Sequence, residues 1–230
     1  MKRRAFLLGT SALLLPGRGG LATAAAPAPA PARTPYMEVA PVIQDASRCI
    51  AFFQFGCPHC RDLHPSLARW GHSLPRGVEF EFMPVLAPTT PHDRGQVMAA
   101  RAWYAVARDA PSRLEAFAES AYALVQDRRL SMDAATTWEA AARHAGVSGF
   151  TLAWERVRVD RILRATGKLI AYRVQSTPSL AIAGRYVVTL DDTQGDADLF
   201  LRLASGLLSM AITPLPSSLP LHLTSTHSDS

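Results

Sequence analysis

Apolar positions along the chain fall into continuous runs and periodic runs, and their order suggests an architecture. Residues 49–55 (Cys-Ile-Ala-Phe-Phe-Gln-Phe) are apolar almost throughout, as expected of a strand covered on both faces of a sheet. A helical pattern follows from about Pro58 to Ser73, and Val78 to Val85 then alternates and ends at Pro84-Val85, the mark of a second strand. This β-α-β order favours a parallel pair. Residues 93–175 carry no strand pattern and divide into helical pieces over 93–109, 111–127, 132–145 and 148–175. The breaks fall at Ala110-Pro111, at Arg128-Arg129-Leu130-Ser131 and at Gly146, with Ser131 a candidate N-cap. Strand signals return at Ser179–Ala183 and Tyr186–Leu190, with Gly184-Arg185 as a tight hairpin between them, and helical periodicity resumes from Asp196 to Met210. The expected fold is therefore α/β: a β-α-β half (36–92), a helical insertion (93–175) and a β-β-α half (176–212). There is no internal repeat.

Both ends read differently from the middle. Lys2-Arg3-Arg4, an apolar stretch from Ala5 to Leu15 and the small residues Ala22-Thr23-Ala24 describe a secretory signal over residues 1–24, too short to span a membrane. The Arg pair fits the twin-arginine route as well as the general one. Residues 25–35 alternate Ala and Pro and form an extended tether. Residues 213–230, rich in Pro, Ser, Thr and His, read as a disordered tail; the spacing of His222 and His227 does not make a metal site.

The signal changes the charge argument. The chain has 24 basic and 19 acidic residues, a net charge of +5. Lys2, Arg3, Arg4 and Arg18 leave with the signal, so 20 basic residues face 19 acidic ones in the mature chain, a net of +1. That balance gives no case for nucleic-acid binding.

The sequence holds three cysteines, too few for a disulfide-stapled scaffold, and two of them sit in Cys57-Pro58-His59-Cys60. Cysteines at i and i+3 at a helix start can close a small disulfide ring. Only the thiolate attacks, so the chemistry needs a lowered thiol pKa. A helix N-terminus supplies it through unpaired N–H groups and the positive end of the dipole. Pro58 fixes the first turn without sacrificing a needed donor, and His59 adds a group able to carry positive charge. Cys60, one turn in, is then the more buried, resolving thiol. Two other uses of this motif remain: a zinc site, completed on paper by Cys49 and His59, and a structural disulfide. Zinc is disfavoured because Cys49 lies at the far end of the strand and no second CxxC exists.

The segment Phe52-Phe53-Gln54-Phe55-Gly56-Cys57-Pro58-His59-Cys60 resembles the active-site segment of the DsbA family of bacterial thiol:disulfide oxidoreductases. Thr177-Pro178 before an apolar strand and Gly184-Arg185-Tyr186 resembles the family's second signature. The resemblance implies a thioredoxin-like core interrupted by a helical domain, with Pro178 cis and facing Cys57, and with the Thr177 backbone pairing with an extended substrate peptide. It further implies a monomeric periplasmic oxidase without cofactor beyond a redox-active Cys57–Cys60 disulfide. Its substrates would be reduced or unfolded exported proteins, and a membrane quinone-linked oxidoreductase would recharge it. A reductase or isomerase, a client-specific chaperone and a metal carrier are the alternatives.

Three positions depart from the family. Ala51 stands where an acidic residue is usual, so the buried carboxylate that serves the resolving thiol is missing or supplied from elsewhere. Thr177 replaces the frequent Val before the cis-proline, a choice seen in isomerase and reductase relatives. Cys49 is an unpaired extra, read as a small apolar residue of a buried strand. Elsewhere, Trp103, Tyr104, Trp138 and Trp154 read as core, His64, His72, His92 and His144 as scattered single residues, and Arg156, Arg158, Arg161 and Arg164 as the solvated face of one long helix. The sequence does not mark the walls of a peptide groove.

Overall fold

The computed structural model describes residues 34–86 and 93–213. The expected signal, most of the tether, nearly all of the tail, and His92, His222 and His227 lie outside these residues.

Five strands form one sheet in the order β1-β5-β4-β2-β3. The central strand β2 (Arg48–Phe53) runs parallel to β3 (Glu79–Pro84), with Phe52 opposite Met83, and antiparallel to β4 (Ser179–Ile182), with Ala51 opposite Leu180. β4 pairs antiparallel with β5 (Tyr186–Thr189), and the two-residue strand β1 (Met37–Glu38) closes the far edge against β5. Side chains alternate across this sheet. Cys49 and Ala51 face one core with Leu63, Leu67 and Trp70 of α1 (Pro58–His72) and with Phe200, Ala204 and Leu207 of α7 (Ala197–Ile212). Ile50 and Phe52 face a second core built with the inserted helices. Each buried Leu or Phe in these layers contributes about 1.5–3 kcal/mol, which explains why β2 reads as a continuous apolar run.

The insertion comprises α2 (Arg94–Asp109), α3 (Leu114–Tyr122), α4 (Ala135–His144), α5 (Phe150–Glu155) and α6 (Val159–Ala171). Trp103, Tyr104 and Trp138 are buried in it, as their amphipathic spacing suggests; Trp154 is half-buried under the Arg101 guanidinium. Three local expectations are corrected. The single helix over 148–175 is two helices, because Arg101 and Arg108 of α2 donate to the carbonyls of Trp154, Ala153 and Arg156 and so cap α5 from outside. Arg161 is not simply solvated, since its guanidinium lies 4.8 Å over the Tyr104 ring. Ser131 is not an N-cap: α4 starts four residues later with Ala134 as its cap, while the Ser131 carbonyl accepts from the Thr137 hydroxyl at 2.7 Å.

The β4–β5 turn is centred on Ala183-Gly184 rather than Gly184-Arg185. Both central residues are left-handed, with φ of 50° and 67°, and the Arg185 amide donates to Ile182 across the turn. A Cβ on Gly184 would stand 2.3 Å from the Val42 carbonyl oxygen, so only glycine fits. No helix among the described residues is long and apolar enough to cross a membrane.

Candidate active site

The loop Gln54–Gly56 carries the chain from the C-terminal end of β2 into α1, and Cys57 is the N-cap of that helix. Its backbone is extended (φ −90°, ψ 116°), and its sulfur takes the place of a capping oxygen, accepting from the Cys60 amide at 3.3 Å. Pro58 occupies the first helical position, where no amide donor is required. Gly56, Pro58 and His59 are exposed, Cys57 is half-buried and Cys60 is buried.

Across from this cap, the Thr177–Pro178 peptide bond is cis and precedes β4. The Cys57 sulfur lies 3.1 Å from the Thr177 carbonyl oxygen. All six residues singled out by the sequence, Cys57, Pro58, His59, Cys60, Thr177 and Pro178, therefore meet at one end of the sheet, although 120 positions separate Cys57 from Thr177. Cys49, Cys57 and Cys60 are all free thiols, and no cluster of three or more His, Cys, Asp or Glu side chains suited to a metal ion exists among the described residues.

Electrostatics divide the two thiols. The Thr177 carbonyl accepts from a protonated Cys57 thiol and so favours the neutral form, as does partial burial. These effects lose to four that stabilise the thiolate: the Cys60 thiol first, then the Thr177 side chain, the Cys60 amide and the nearby His59. Together they pull Cys57 down from 9.0 to about 6. Cys60 goes the other way, pushed well up by burial and by its negative neighbour. One half-buried, ionised sulfur beside one buried, protonated sulfur is the arrangement that nucleophilic exchange through a single attacking atom requires.

Two residues that the sequence gave no reason to single out hold this segment. A π-type turn, Ala123–Asp127, follows α3. From it Gln126 Nε2 donates to the carbonyls of Phe55 (2.9 Å) and Cys57 (3.0 Å), and Asp127 receives both arms of Arg61 at 2.5 and 2.8 Å. The only signal was the chain break near Arg128; nothing in it marked Gln126.

Ala51 is buried, and the one buried carboxylate among the described residues, Asp45, sits at the opposite end of β2 from Cys57, paired with Lys168 and with the Tyr172 hydroxyl. It does not substitute for an acid at the resolving thiol. Two shallow depressions of about 190 and 140 Å³ flank Gln54, the first lined by Val85, Leu169, Val174 and Thr177. A larger one of about 530 Å³ lies between β3, α2 and α6, away from the cysteines.

No family model matches the chain. Thiol:disulfide interchange protein DsbA of Azotobacter vinelandii is 35% identical over 86 residues, 36% of this chain, and the match spans only about two-fifths (39%) of that relative's length. Among solved structures, DsbA of Pseudomonas aeruginosa aligns with a TM-score of 0.65 at 18% identity, covering 76% of this chain and 91% of its own. The oxidoreductase DsbA of Xylella fastidiosa aligns at 0.60 with 21% identity, covering 76% and 94%. The oxidoreductase NmDsbA1 of N. meningitidis gives 0.58 and 17%, covering 75% and 92%. At these identities the structural matches speak to fold alone. The fold is that of these DsbA structures, a thioredoxin-like core with an inserted helical domain, and part of the sequence is similar to DsbA of Azotobacter vinelandii.

Proposed function

We propose that the chain is an exported thiol:disulfide oxidoreductase that works as an oxidase through a Cys57–Cys60 disulfide. The observation that carries this reading is the Cys57 sulfur at the mouth of α1, held at about 6 and facing the Thr177–Pro178 loop. A substrate thiolate attacks Cys57 Sγ, the bond to Cys60 breaks, and Cys60 leaves with the electron pair and takes up a proton. A second substrate thiolate then attacks the substrate sulfur of the mixed disulfide. Cys57 leaves as a thiolate, the substrate departs oxidised, and both electrons remain on the Cys57/Cys60 dithiol. A stabilised Cys57 thiolate makes that reduced form favourable, so electrons flow from substrate to enzyme. Reduced exported proteins are the substrates, the periplasm is the compartment, and a membrane quinone-linked oxidoreductase takes the electrons away. The Thr177 backbone offers an extended peptide its pairing groups.

A reductase or isomerase reading draws on Thr177 beside the sulfur and on Ala51 in place of an acid. Equilibration with glutathione separates the two. An oxidase is reduced at modest glutathione concentrations, whereas persistence of its disulfide under strongly reducing conditions would reverse the proposed direction. In the same assay Cys57→Ser should abolish oxidation of a dithiol peptide; retained turnover would remove the mechanism.

A further inference from the structure

The cleft of about 530 Å³ between β3, α2 and α6 lies away from the cysteines and takes no part in the chemistry above. Its volume falls among small-molecule sites, which run from about 300 to 1,000 Å³. Buried Met83 and Trp103 and half-buried Phe80, Phe82 and Leu114 give it an apolar wall. One polar group in that wall stands out. Tyr104 of α2 is only 3% exposed, yet no protein group among the described residues hydrogen-bonds its hydroxyl. A buried phenol ordinarily finds a partner, and leaving it without one is destabilising. Burial pushes its pKa well up, so the hydroxyl remains a donor at neutral pH.

The charges around the cleft leave one cation uncommitted. Arg48 is paired with Glu79 at 2.5 Å, Arg164 with Asp160 at 2.7 Å, and Lys168 with Asp45. Arg161 lies 4.8 Å over the Tyr104 ring and makes only a long contact of 3.8 Å with Glu81, which Arg48 reaches at the same distance. Among the described residues its guanidinium donates no hydrogen bond, so its fork of donors is free on the ring whose hydroxyl is also free. A guanidinium fork with a second donor at its side matches a carboxylate, and the apolar wall suits a hydrocarbon chain attached to it. We propose that this cleft binds an apolar monocarboxylate of the fatty-acid class, its head on Arg161 and Tyr104 and its chain along Phe82, Met83 and Trp103. The charge balance sets the class of head group. Arg48, Arg161, Arg164 and Lys168 face Glu79 and Glu81 in the lining, with Asp160 and Asp45 behind it, four cations against four carboxylates. Recognition therefore comes from free donors rather than from a strong positive field, which admits a single negative charge and disfavours a phosphate dianion.

The test is calorimetric titration of the protein with octanoate, decanoate and decyltrimethylammonium at pH 7. Decanoate should bind saturably, one per chain, and about four- to fifteenfold tighter than octanoate, the effect of two methylenes leaving water in part or in full. Decyltrimethylammonium, with the same chain and the opposite charge, should not displace it. Tyr104→Phe keeps the ring and removes only the hydroxyl, and should weaken decanoate about tenfold, as expected for a hydrogen bond to a charged group. Arg161→Gln, at a half-exposed side chain, should weaken it comparably, and Glu81→Gln, which removes the nearest opposing carboxylate, should tighten it severalfold. Absence of saturable decanoate binding overturns the site, as does equal binding of the ammonium probe. So does unchanged affinity in both Tyr104→Phe and Arg161→Gln, which places the ligand elsewhere. Weakening in Tyr104→Phe alone, with a fallen denaturation midpoint and Arg161→Gln unaffected, indicates a packing role and also overturns it. Each measurement reads binding alone, so the outcome is separate from that of disulfide exchange at Cys57.

Discussion

Cys49 and Cys57 lie eight positions apart on one stretch of chain and experience opposite physics. Cys49 is the second residue of the central strand, fully buried between β3 and β4, and desolvation pushes its thiol up to about 12. Cys57 caps a helix at the other end of that strand, and the donors gathered there pull it down to about 6. The side chain is the same; the sheet interior offers the sulfur no charge-stabilising group except one backbone amide, that of Ala183, while the helix mouth offers several. Reactivity here is a property of the position at the end of β2 rather than of cysteine as such.

The comparison breaks most visibly under alkylation. At pH 7 about nine in ten Cys57 thiols are ionised against about one in 10⁵ for Cys49, and the lower nucleophilicity of the weaker base gives back about 10²–10³ of that ratio. Cys57 in the fully reduced protein should therefore react with iodoacetamide at least about a hundredfold faster than Cys49, before burial slows Cys49 further. Time-resolved peptide mass spectrometry reads both rates at once. Comparable labelling of the two sulfurs would mean that Cys49 is not held inside the sheet.

Stability against pH sharpens the same contrast. Folding lowers the Cys57 pKa from 9.0 to about 6, so the thiolate stabilises the reduced fold fully above about pH 9. This contribution declines as the pH falls from about 9 and is lost below about 6. The whole displacement corresponds to about 4 kcal/mol, and solvent screening at a half-exposed sulfur reduces it to roughly 2 kcal/mol. Cys49 acts with the opposite sign: its raised pKa penalises the folded state only once the unfolded thiol ionises, above about pH 9. Denaturant titrations of reduced wild type and reduced Cys57→Ser should show a gap that is wide at pH 8 and closed by pH 5. A gap independent of pH would remove the lowered thiol.

These two regions were also legible to different degrees. The continuous apolar run of β2 and the Cys57-Pro58-His59-Cys60 cap are local signals, a burial pattern and a helix start, and the structure places them where pattern alone suggested. What sequence could not reveal depends on partners remote in the chain. Strand β1 is two residues long and exists only by pairing with β5, so it has no period to detect. The end of α5 is set by Arg101 and Arg108 from α2, and nothing near Arg156 announces it. His64 reads as a single scattered histidine because the rings that bury it, Phe82 of β3 and Tyr122 of α3, come from elsewhere in the chain.

Gln126 belongs to this second class and carries the smallest expected effect. Its amide spans the carbonyls of Phe55 and Cys57, tying the cap of α1 to the helical insertion, and the neighbouring Arg61–Asp127 pair does the same from a more exposed position where solvent screens it. The Gln126→Ala change should lower stability by about 1–2 kcal/mol, the value of two part-buried hydrogen bonds. Cys57 should lose some definition as well, because its sulfur reaches the Cys60 amide only while the cap residue keeps its extended backbone. The thiolate midpoint, followed by absorbance, should move upward from about 6 while Cys49 stays near 12. If both midpoints stayed put and only stability fell, the insertion would merely support the core; a shift confined to Cys57 would make the helical domain part of what sets its chemistry.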